Sequence, residues 1–443
     1  MVTAPPRGVH HGPAAGWRNA AAYLRDPLAY LESLNDPAGV TRVPFPGGHS
    51  FVLVSDPALI RRILVDEHAA FVKGRALRAA RRLLGDGLLT SEGGDHLRRR
   101  RMIQPVFHRA VIDTYAAEMV AAAERTSARW SDGAQIDVDT AMTDLALDIV
   151  GRTIFDADVE SEAPEIREVL EAGMQVFHRF LLPGGELMWH LPLPATRRFN
   201  TARGEFDGMM LRMIRARGNA RPDRPDLIDH LIALREEDGG GGLSEAEIRD
   251  EAVTLLLAGH ETTARALTWG WYLLSTNPEA AARLRTELED TLGDRPVTSA
   301  DYAALPYTQA VFRETLRLYP PVWALARIAT RQVDLGELVI REGGTAIMSQ
   351  WVVQRDPARF ERAREFVPER WIDGPAPHLG AYFPFGGGPR LCIGERFAML
   401  EGVLILATLA RRWQLTTPSP APRIDARFTL RPRGGVPATL RAL

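Results

Sequence analysis

The chain has 443 residues, of which 45% are apolar and 25% charged, and its formal net charge is −2 at pH 7. These proportions are ordinary for a soluble globular protein, and so small a charge gives no general attraction to nucleic acid or to an anionic membrane. The N-terminal stretch lacks the ~18 consecutive apolar residues of a spanning helix and the residue order of a signal peptide. The sequence therefore predicts a cytoplasmic protein with no membrane anchor and no nucleic-acid partner.

Rare residue types exclude several classes of enzyme. Lys73 is the only lysine and is followed by Gly74, so the Gly-Lys-Ser/Thr of a Walker phosphate loop is absent. His260-Glu261 has an alanine four residues after the histidine, where a zinc protease carries its second histidine. Cys392 is the only cysteine, which excludes a zinc ribbon and an intramolecular disulfide.

The chain is expected to form a single domain, residues 1–443, in which 1–20 is a flexible N-terminal segment. No internal repeat and no long linker divides it. Helical periodicity dominates, and short strands are predicted at 41–46, 50–55, 333–340 and 345–348. We therefore expect a mainly α fold with a small mixed β region.

The longest predicted helix begins after Ser244, where Ser244-x-x-Glu247 forms a capping-box pattern, and ends near Thr276, before Pro278. About 33 residues at ~1.5 Å each make a rod of about 50 Å, long enough to cross a domain. Its middle, 253–259, is almost entirely apolar. This part of the helix should therefore be buried on most sides.

Inside this helix, the segment 258–263 (Ala-Gly-His-Glu-Thr-Thr) contains several residues with low helix propensity. Gly259 costs ~1 kcal/mol relative to alanine, and Thr262 and Thr263 are weak helix formers. Two interpretations are open at this point. The segment is either a tolerated kink whose hydroxyls bond back to carbonyls one turn earlier, or a functional site.

Two charged residues follow on another helix. Glu314 and Arg317 lie three residues apart and share one helix face. An exposed pair of this kind would contribute only about a few tenths of a kcal/mol. The apolar neighbours Leu316 and Leu318 indicate burial instead, and a buried pair needs a further hydrogen-bond donor.

The lone cysteine lies in a glycine-rich loop, Phe385-Gly-Gly-Gly-Pro-Arg390-Leu-Cys392-Ile-Gly394. A lone cysteine is most often a buried structural residue. This loop, however, also contains an arginine and several glycines, and the glycines allow backbone amides to turn toward the sulfur. The positive charge and the amides both favour the thiolate, which is a strong metal ligand.

This loop closely resembles the haem-binding loop of the cytochrome P450 family, Phe-x-x-Gly-x-Arg-x-Cys-x-Gly. The segment 258–263 resembles the family's oxygen-binding helix, Glu314-x-x-Arg317 its Glu-x-x-Arg motif, and Pro-Glu-Arg370 its Pro-Glu-Arg segment. The motifs stand in the family's usual order, so the resemblance covers most of the chain. It implies a cytochrome P450 fold that holds haem b between the long helix and the cysteine loop.

The resemblance also implies roles for these residues. Cys392 would be the axial ligand of the haem iron, in the loop that contains Phe385 and Gly394. Thr262 would hold dioxygen and its water by hydrogen bonds, Glu261 would feed in protons, and Gly259 would leave room for the oxygen. A structural lock behind the cysteine loop would comprise Glu314, Arg317 and Arg370. The haem propionates would be held by His96, Arg100, Arg327 and Arg390. One departure is Gln354, where the family often has histidine.

A substrate pocket is implied in the same way, although each of its residues has core packing as an alternative. Nearly all of the candidates are apolar: Leu255, Leu256, Ala258, Val322, Trp323, Ala324, Leu325, Phe177, Phe180, Phe428 and Thr429. The large indole of Trp323 favours a compact substrate. A terpenoid is the preferred interpretation, with a fatty acyl or polyketide-like molecule as alternatives.

The implied reaction is monooxygenation, in which one atom of dioxygen enters a C–H bond in one or several steps and the other leaves as water. No flavin or iron–sulfur segment is fused to the chain. We therefore expect the electrons to come from a ferredoxin with its reductase, or from a flavodoxin. We also expect the protein to be a monomer. Two other functions are open: a peroxide-using haem-thiolate peroxygenase, and a haem sensor or carrier without catalysis. The Glu261-Thr262 pair argues against both.

Overall fold

A computed structural model describes most of the chain. The described residues are 9–10, 14–155, 163–177, 193–217, 227–237, 243–336, 338–372, 374, 377–417, 421–426 and 428–443. Helices predominate in them: α1 Ala15–Arg25, α2 Pro27–Ser33, α3 Pro57–Arg61, α4 Arg75–Leu84, α5 Gly93–Ile103, α6 Arg109–Ala128, α7 Val138–Ile154, α8 Ala163–Phe177, α9 Pro194–Arg217, α10 Leu227–Glu237, α11 Glu245–Thr276, α12 Pro278–Leu292, α13 Pro306–Leu318, α14 Gln350–Val353 and α15 Glu395–Ala410.

The strands are short and gather in small sheets. They are β1 Val40–Pro44, β2 Ser50–Val54, β3 Phe71–Lys73, β4 Gln135–Asp137, β5 Leu325–Ala329, β6 Val333–Asp334, β7 Val339–Ile340, β8 Thr345–Met348, β9 Trp413–Thr416, β10 Arg423–Asp425, β11 Arg431–Arg433 and β12 Pro437–Ala442. The predicted fold class, mainly α with a small mixed β region, is confirmed.

The long central helix is α11, and its start is confirmed in detail. The Ser244 hydroxyl accepts a hydrogen bond from Glu247 N–H while the Glu247 carboxylate accepts one from Ser244 N–H, which is a complete capping box. Thirty-two residues follow, and Pro278 opens the next helix. Helices α7, α9, α13 and α15 contact α11 and bury most of its length.

The largest sheet has the strand order β1-β2-β8-β5-β3. The predicted first hairpin is confirmed, since β1 and β2 pair antiparallel with Val43 opposite Phe51. Strand β8 runs parallel to β2 and antiparallel to β5. Strand β3 then pairs with β5, and this register sets Lys73 opposite Arg327. The sheet thus brings two basic residues together that are far apart in the sequence.

Apolar side chains form one large core among the helices and smaller clusters against the main sheet. Helix α1 begins at Ala15, inside the segment 1–20 that the sequence predicted to be flexible, and it packs on β1. Asn19 on its inner face donates a hydrogen bond to the Pro44 carbonyl. No helix in the described part of the chain is both long and apolar enough to cross a membrane.

Candidate active site

The cysteine loop is shaped by glycines that other residues cannot replace. Gly386 and Gly388 have φ angles of 76° and 67°, in the left-handed region that favours glycine. A Cβ at Gly388 would also lie 2.1 Å from the Leu64 carbonyl oxygen. Cys392 N–H donates to the Phe385 carbonyl at 3.0 Å and closes the loop. Helix α15 begins at the end of the loop, so its N-terminus lies beside the sulfur.

Two electrostatic effects act on the Cys392 thiol in opposite directions. Its position inside the protein raises its pKa, whereas a hydrogen bond from Gly394 N–H and the charge of Arg100 lower it. The loop amide thus acts in the direction that the sequence predicts, against the larger effect of burial. The thiolate is the form that binds a metal, so metal binding at this sulfur would be accompanied by release of a proton.

The segment 258–263 lies in the buried middle of α11. Thr262 Oγ1 donates to the Ala258 carbonyl at 2.8 Å, the back-bonding that the kink interpretation requires, yet the residue also lines a cavity. The backbone of Gly259 lines the same cavity, but a Cβ there would lie 3.2 Å from Val150 Cγ2 on α7. Glycine at this position thus allows α7 and α11 to pack closely, a reason that the sequence analysis missed.

Glu261 is held in a buried ion cluster. Arg431 of β11 donates two hydrogen bonds to its carboxylate, at 2.7 and 2.6 Å, and Thr429 Oγ1 donates a third at 2.7 Å. Arg265, one turn along α11, lies 3.4 Å from the same carboxylate and also pairs with Asp139. Burial would raise the pKa of Glu261, but the charges of Arg265 and Arg431 lower it to about 2. Sequence reasoning missed Arg431, which is 170 residues away.

Basic side chains gather on another wall of the cavity. His96, Arg100, Arg327 and Arg390 all line it, and Arg100 Nη1 donates to the Leu391 carbonyl at 2.7 Å. Burial and the nearby cations lower the pKa of His96 to about 4 and that of Arg327 to about 10. These cations lie close enough to one another for their mutual repulsion to matter.

Two residues of this wall were not predicted. Lys73 lines the cavity and donates to the carbonyls of Leu88 and Ser91, at 3.3 and 2.6 Å. Burial, and then the charge of Arg390, lowers the pKa of Lys73 to about 7. Glu92 pairs with Arg390 and accepts a hydrogen bond from Lys73 N–H at 2.7 Å. The signal available in the sequence was that Lys73 is the single lysine of the chain.

The cysteine loop, α11 and the basic wall enclose one cavity of about 1180 Å³. This volume exceeds the ~300–1,000 Å³ that is typical of a site for one drug-sized molecule. The nominated pocket residues that line it are Leu255, Ala258, Val322, Trp323, Ala324, Leu325, Phe428 and Thr429. The cavity therefore has room for a large cofactor and a small apolar molecule together.

One pocket candidate does not line this cavity, and two others lie outside the described side chains. Leu256 is fully buried in the helical core and does not line the cavity, because its side chain leaves α11 about 100° from that of Leu255. Its assignment to the pocket is wrong, whereas Leu257 lines the cavity and was missed. Phe177 ends α8, but its side chain lies outside the described part of the structure, as does Phe180.

Trp323 lines the cavity and also packs in an apolar cluster against the main sheet. Its carbonyl accepts hydrogen bonds from Trp351 N–H at 3.2 Å and Ser349 Oγ at 2.9 Å. The indole is 8% exposed. Trp323 is therefore both a cavity-lining residue and a core residue.

The charged lock lies in the protein interior. Glu314 and Arg317 are fully buried, and the carboxylate accepts two hydrogen bonds from Arg317, both at 2.8 Å. Arg370 Nε and Trp371 Nε1 donate to it as well, at 3.1 and 2.8 Å. Gln354 fills the place of the usual histidine by donating to the carbonyls of Leu316 and Arg317.

A family model described as cytochrome P450 matches residues 29–436, which is nearly the whole chain. The chain belongs to the cytochrome P450 family. It is 38% identical over 429 residues to cyclooctatin synthase of Streptomyces melanosporofaciens, covering 96% of this chain and 92% of that protein. It is 34% identical over 400 residues to cyclooctat-9-en-7-ol 5-monooxygenase of the same organism, with 89% and 86% covered.

The structure is also similar to a crystal structure of a six-coordinated cytochrome P450 from Thermus thermophilus. The TM-score is 0.75 at 32% sequence identity, and the match covers 94% of this chain and 99% of the other. Membership of the family, together with relatives named as monooxygenases, makes this chain a cytochrome P450 monooxygenase. The family implies a haem cofactor, dioxygen and an electron donor.

The residues present fit a haem. Arg390 Nη1 is buried without a hydrogen-bond partner in the described residues, and Arg327 donates only to the neighbouring Ala326 carbonyl among the bonds found there. Haem brings two carboxylates, which would pair with these cations and raise the pKa of Arg327, which burial and the charge of Arg390 now lower. Cys392 lines the same cavity, and its thiolate would bind the haem iron.

Proposed function

We propose that this protein hydroxylates a compact, largely apolar terpenoid and uses haem b as its cofactor. The observation that carries the proposal is one shared cavity, which both the Cys392 thiol and the Thr262 side chain line. The cysteine sulfur and the Glu261-Thr262 segment thus border the same cavity. Relatives that modify terpenoids support this choice of substrate, and one of them is named as the 5-monooxygenase of cyclooctat-9-en-7-ol.

The haem would be held by the residues of two walls. Cys392 would bind the iron, while His96, Arg100, Arg327 and Arg390 would hold the propionates. Bound there, haem would supply the activation of dioxygen and the insertion of one of its atoms into a C–H bond, while the other atom leaves as water with two electrons and two protons. The glycine-rich turns of the loop fix the sulfur by backbone geometry, so that the ligand position does not depend on a flexible side chain.

The apolar wall would orient the substrate and exclude water. Leu255, Ala258 and Leu325 come from two different elements, α11 and β5, and line the same cavity. None of them offers a hydrogen bond from its side chain, so shape decides how a hydrocarbon lies. Trp323 narrows the cavity with a rigid indole, which favours a polycyclic molecule over a long flexible chain.

Thr262 and Glu261 would handle protons. The Thr262 hydroxyl donates its hydrogen bond to the Ala258 carbonyl, so its oxygen lone pairs remain to accept a hydrogen bond from the cavity side. Among the described residues that donate hydrogen bonds to Glu261, Arg431 is the one whose side chain reaches solvent, at 23% exposed. We propose that this path carries protons from the surface to the cavity.

We also propose that the enzyme is monomeric and cytoplasmic. A separate ferredoxin or flavodoxin would bring its electrons.

The experiment compares the wild-type protein with Cys392→Ser. We expect the carbon monoxide complex of the reduced wild type to show the absorption band of thiolate-ligated haem, and the variant to lack it, because no other thiol exists in the chain. Survival of the band in the variant would overturn the assignment of the ligand.

A second measurement separates the possible reactions. Polycyclic terpenes and terpene alcohols are incubated with NADH and a surrogate ferredoxin pair, with peroxide alone, or with neither. We expect hydroxylated product only with the electron-donor pair. Product formed equally well with peroxide alone would identify a peroxygenase, and intact haem binding without product in either mixture would indicate a sensor or carrier.

A further inference from the structure

Glu92 lies where α5, β3 and the cysteine loop meet. It is the N-cap residue of α5, yet its side chain makes no capping hydrogen bond. The acidic N-cap residues Asp26 and Asp56, by contrast, accept such a bond from the first turn of their helices. Helix α5 also begins with Gly93 and Gly94, which are weak helix formers. The start of α5 is therefore not optimised for the helix, and the Glu92 carboxylate is used elsewhere.

The Glu92 carboxylate is shared between a strand and the cysteine loop. One oxygen, Oε1, accepts a hydrogen bond from Lys73 N–H of β3 at 2.7 Å. The other, Oε2, pairs with Nη2 of Arg390 in the cysteine loop. Farther along α5, Arg100 donates to the Leu391 carbonyl of the same loop at 2.7 Å. Helix α5 and its N-cap residue therefore hold the loop at two consecutive residues, directly before the cysteine.

The charge of Glu92 acts on a crowded set of basic side chains. Apart from His96, the basic wall of the cavity carries four of them: Lys73, Arg100, Arg327 and Arg390. A haem offers this wall only two carboxylates. The charge of Glu92 raises the pKa of Lys73 and that of Arg327, in each case against burial and the repulsion from Arg390. This carboxylate therefore reduces a repulsion that the cofactor alone would not remove.

We propose that Glu92 is a positioning residue for the haem. Its pair with Nη2 fixes the Arg390 guanidinium, while Nη1, which is buried without a hydrogen-bond partner in the described residues, is left for a haem carboxylate. A guanidinium that is already held on one side loses less conformational freedom when the cofactor binds, and this strengthens the binding. The inference rests on the haem of the proposed function, and not on the identity of the substrate.

Two measurable properties of the bound haem should depend on Glu92. The first is the rate at which haem leaves the protein, because Arg390 would lose the partner that orients it. The second is the reduction potential. The ferric haem carries one more positive charge than the ferrous haem, so a nearby carboxylate favours the ferric form and lowers the potential. A role limited to the stability of the fold would leave the potential unchanged.

The test uses the purified, haem-loaded protein and the variants Glu92→Gln and Glu92→Asp. Glutamine keeps the length and an oxygen for Lys73 N–H but removes the charge, whereas aspartate keeps the charge and shortens the reach. Haem loss is followed by transfer to excess apomyoglobin, and the potential by spectroelectrochemical titration at one pH and ionic strength. We expect Glu92→Gln to lose haem at least about tenfold faster, the effect of one charge-assisted hydrogen bond, and to have a higher potential. Glu92→Asp should also lose haem faster but keep a potential closer to that of the wild type.

The matched control is Glu247→Gln. Glu247 pairs with two other arginines of α5, Arg98 and Arg99, and its side chain is 28% exposed, as is that of Glu92, but neither arginine lines the cavity. Glutamine also preserves the capping box of α11. This variant should keep the haem loss and the potential of the wild type.

A Glu92→Gln protein with wild-type haem loss and potential overturns the proposal, as does one in which only the midpoint of urea unfolding falls. If Glu92→Gln does not fold, Glu92→Asp decides, and haem loss from it at the wild-type rate overturns the proposal. A wild-type protein that binds no haem would contradict the proposed function itself, and this inference with it.

Discussion

The buried carboxylate of Glu314 offers the sharpest test of what holds the cysteine loop in place. Its two oxygens accept hydrogen bonds from Arg317, from Arg370, from Trp371 and from Val367 N–H, the last at 2.9 Å. Arg317 in turn donates to three backbone carbonyls, those of Gln354, Ala363 and Glu365. A single side chain therefore joins α13 to the segment that precedes the cysteine loop.

Glu314→Ala would remove the acceptor and leave its donors in place. An unpaired buried charge costs about 3–5 kcal/mol. The orphaned Val367 N–H and Trp371 indole N–H each add roughly 1–3 kcal/mol, although these terms are not strictly additive. The expected loss is at least about 5 kcal/mol, which equals the whole stability of a marginal protein. We therefore expect little folded protein and little haem bound to it.

The assay measures soluble yield, haem bound per chain and the midpoint of urea unfolding. Glu314→Gln keeps the shape and one acceptor oxygen, so it should be intermediate. The matched control is Glu365→Ala, because Glu365 forms an equivalent pair with Arg362 at the same three-residue spacing but with both side chains more than half exposed. It should leave the midpoint nearly unchanged. A Glu314→Ala protein with full haem content and a wild-type midpoint would refute the reasoning.

Three further substitutions test the cavity and its surroundings. Thr262→Ala removes a hydroxyl whose hydrogen bond to Ala258 is not needed by the helix, so we expect a change in stability below about 1 kcal/mol and unchanged haem binding. NADH consumption should yield peroxide instead of product. A wild-type ratio of product formed to NADH consumed would exclude Thr262 from the reaction. Trp323→Ala should lower stability by ~3–5 kcal/mol and broaden the product pattern, since the indole packs in the core and lines the cavity; an unaltered pattern in a destabilised protein would leave it only a core role. Burial raises the pKa of Glu401 to about 8, against the effect of the Thr263 hydroxyl. The folded state therefore holds this proton more tightly than the unfolded chain, and the stability that it contributes is complete below about pH 4 and is lost as pH rises toward 8, at up to ~1.4 kcal/mol per pH unit. Glu401→Gln should flatten this dependence of the unfolding midpoint, and parallel curves for the two proteins would contradict the raised pKa.

Local patterns were enough to predict the long helix and the site motifs. The Ser244–Glu247 capping box needs only four residues, and Pro278 marks the end of the helix without any tertiary information. The cysteine loop is equally local, because glycine at positions 386 and 388 permits the positive φ angles found there. Patterns of this kind predict structure when the residues that interact are neighbours in the sequence.

Pairs that are distant in the sequence could not be found in the same way. Nothing near Glu261 indicates that Arg431 is its partner, since the strand that carries the arginine joins the site only after the chain has folded. Lys73 faces Arg327 because of a strand register that links residues about 250 positions apart. The error at Leu256 has another origin: an all-apolar run hides which face of a helix meets a cavity and which meets the core.

The ion cluster around Glu261 limits how that residue acts on protons. With its pKa lowered to about 2, the carboxylate is ionised throughout the neutral range and holds no proton of its own to give. It also accepts three close hydrogen bonds, from Thr429 Oγ1 and from Nε and Nη2 of Arg431, so most of its acceptor capacity is used. The proposed transfer through Glu261 would be favoured by opening of the pair with Arg431, which would let a water take its place. Because Arg431 is partly exposed and belongs to β11, opening this pair would couple the proposed proton entry to the motion of a strand near the end of the chain. Under this proposal, the rate of proton delivery would depend on how readily a buried, bidentate ion pair separates, and only secondarily on the acidity of the carboxyl group.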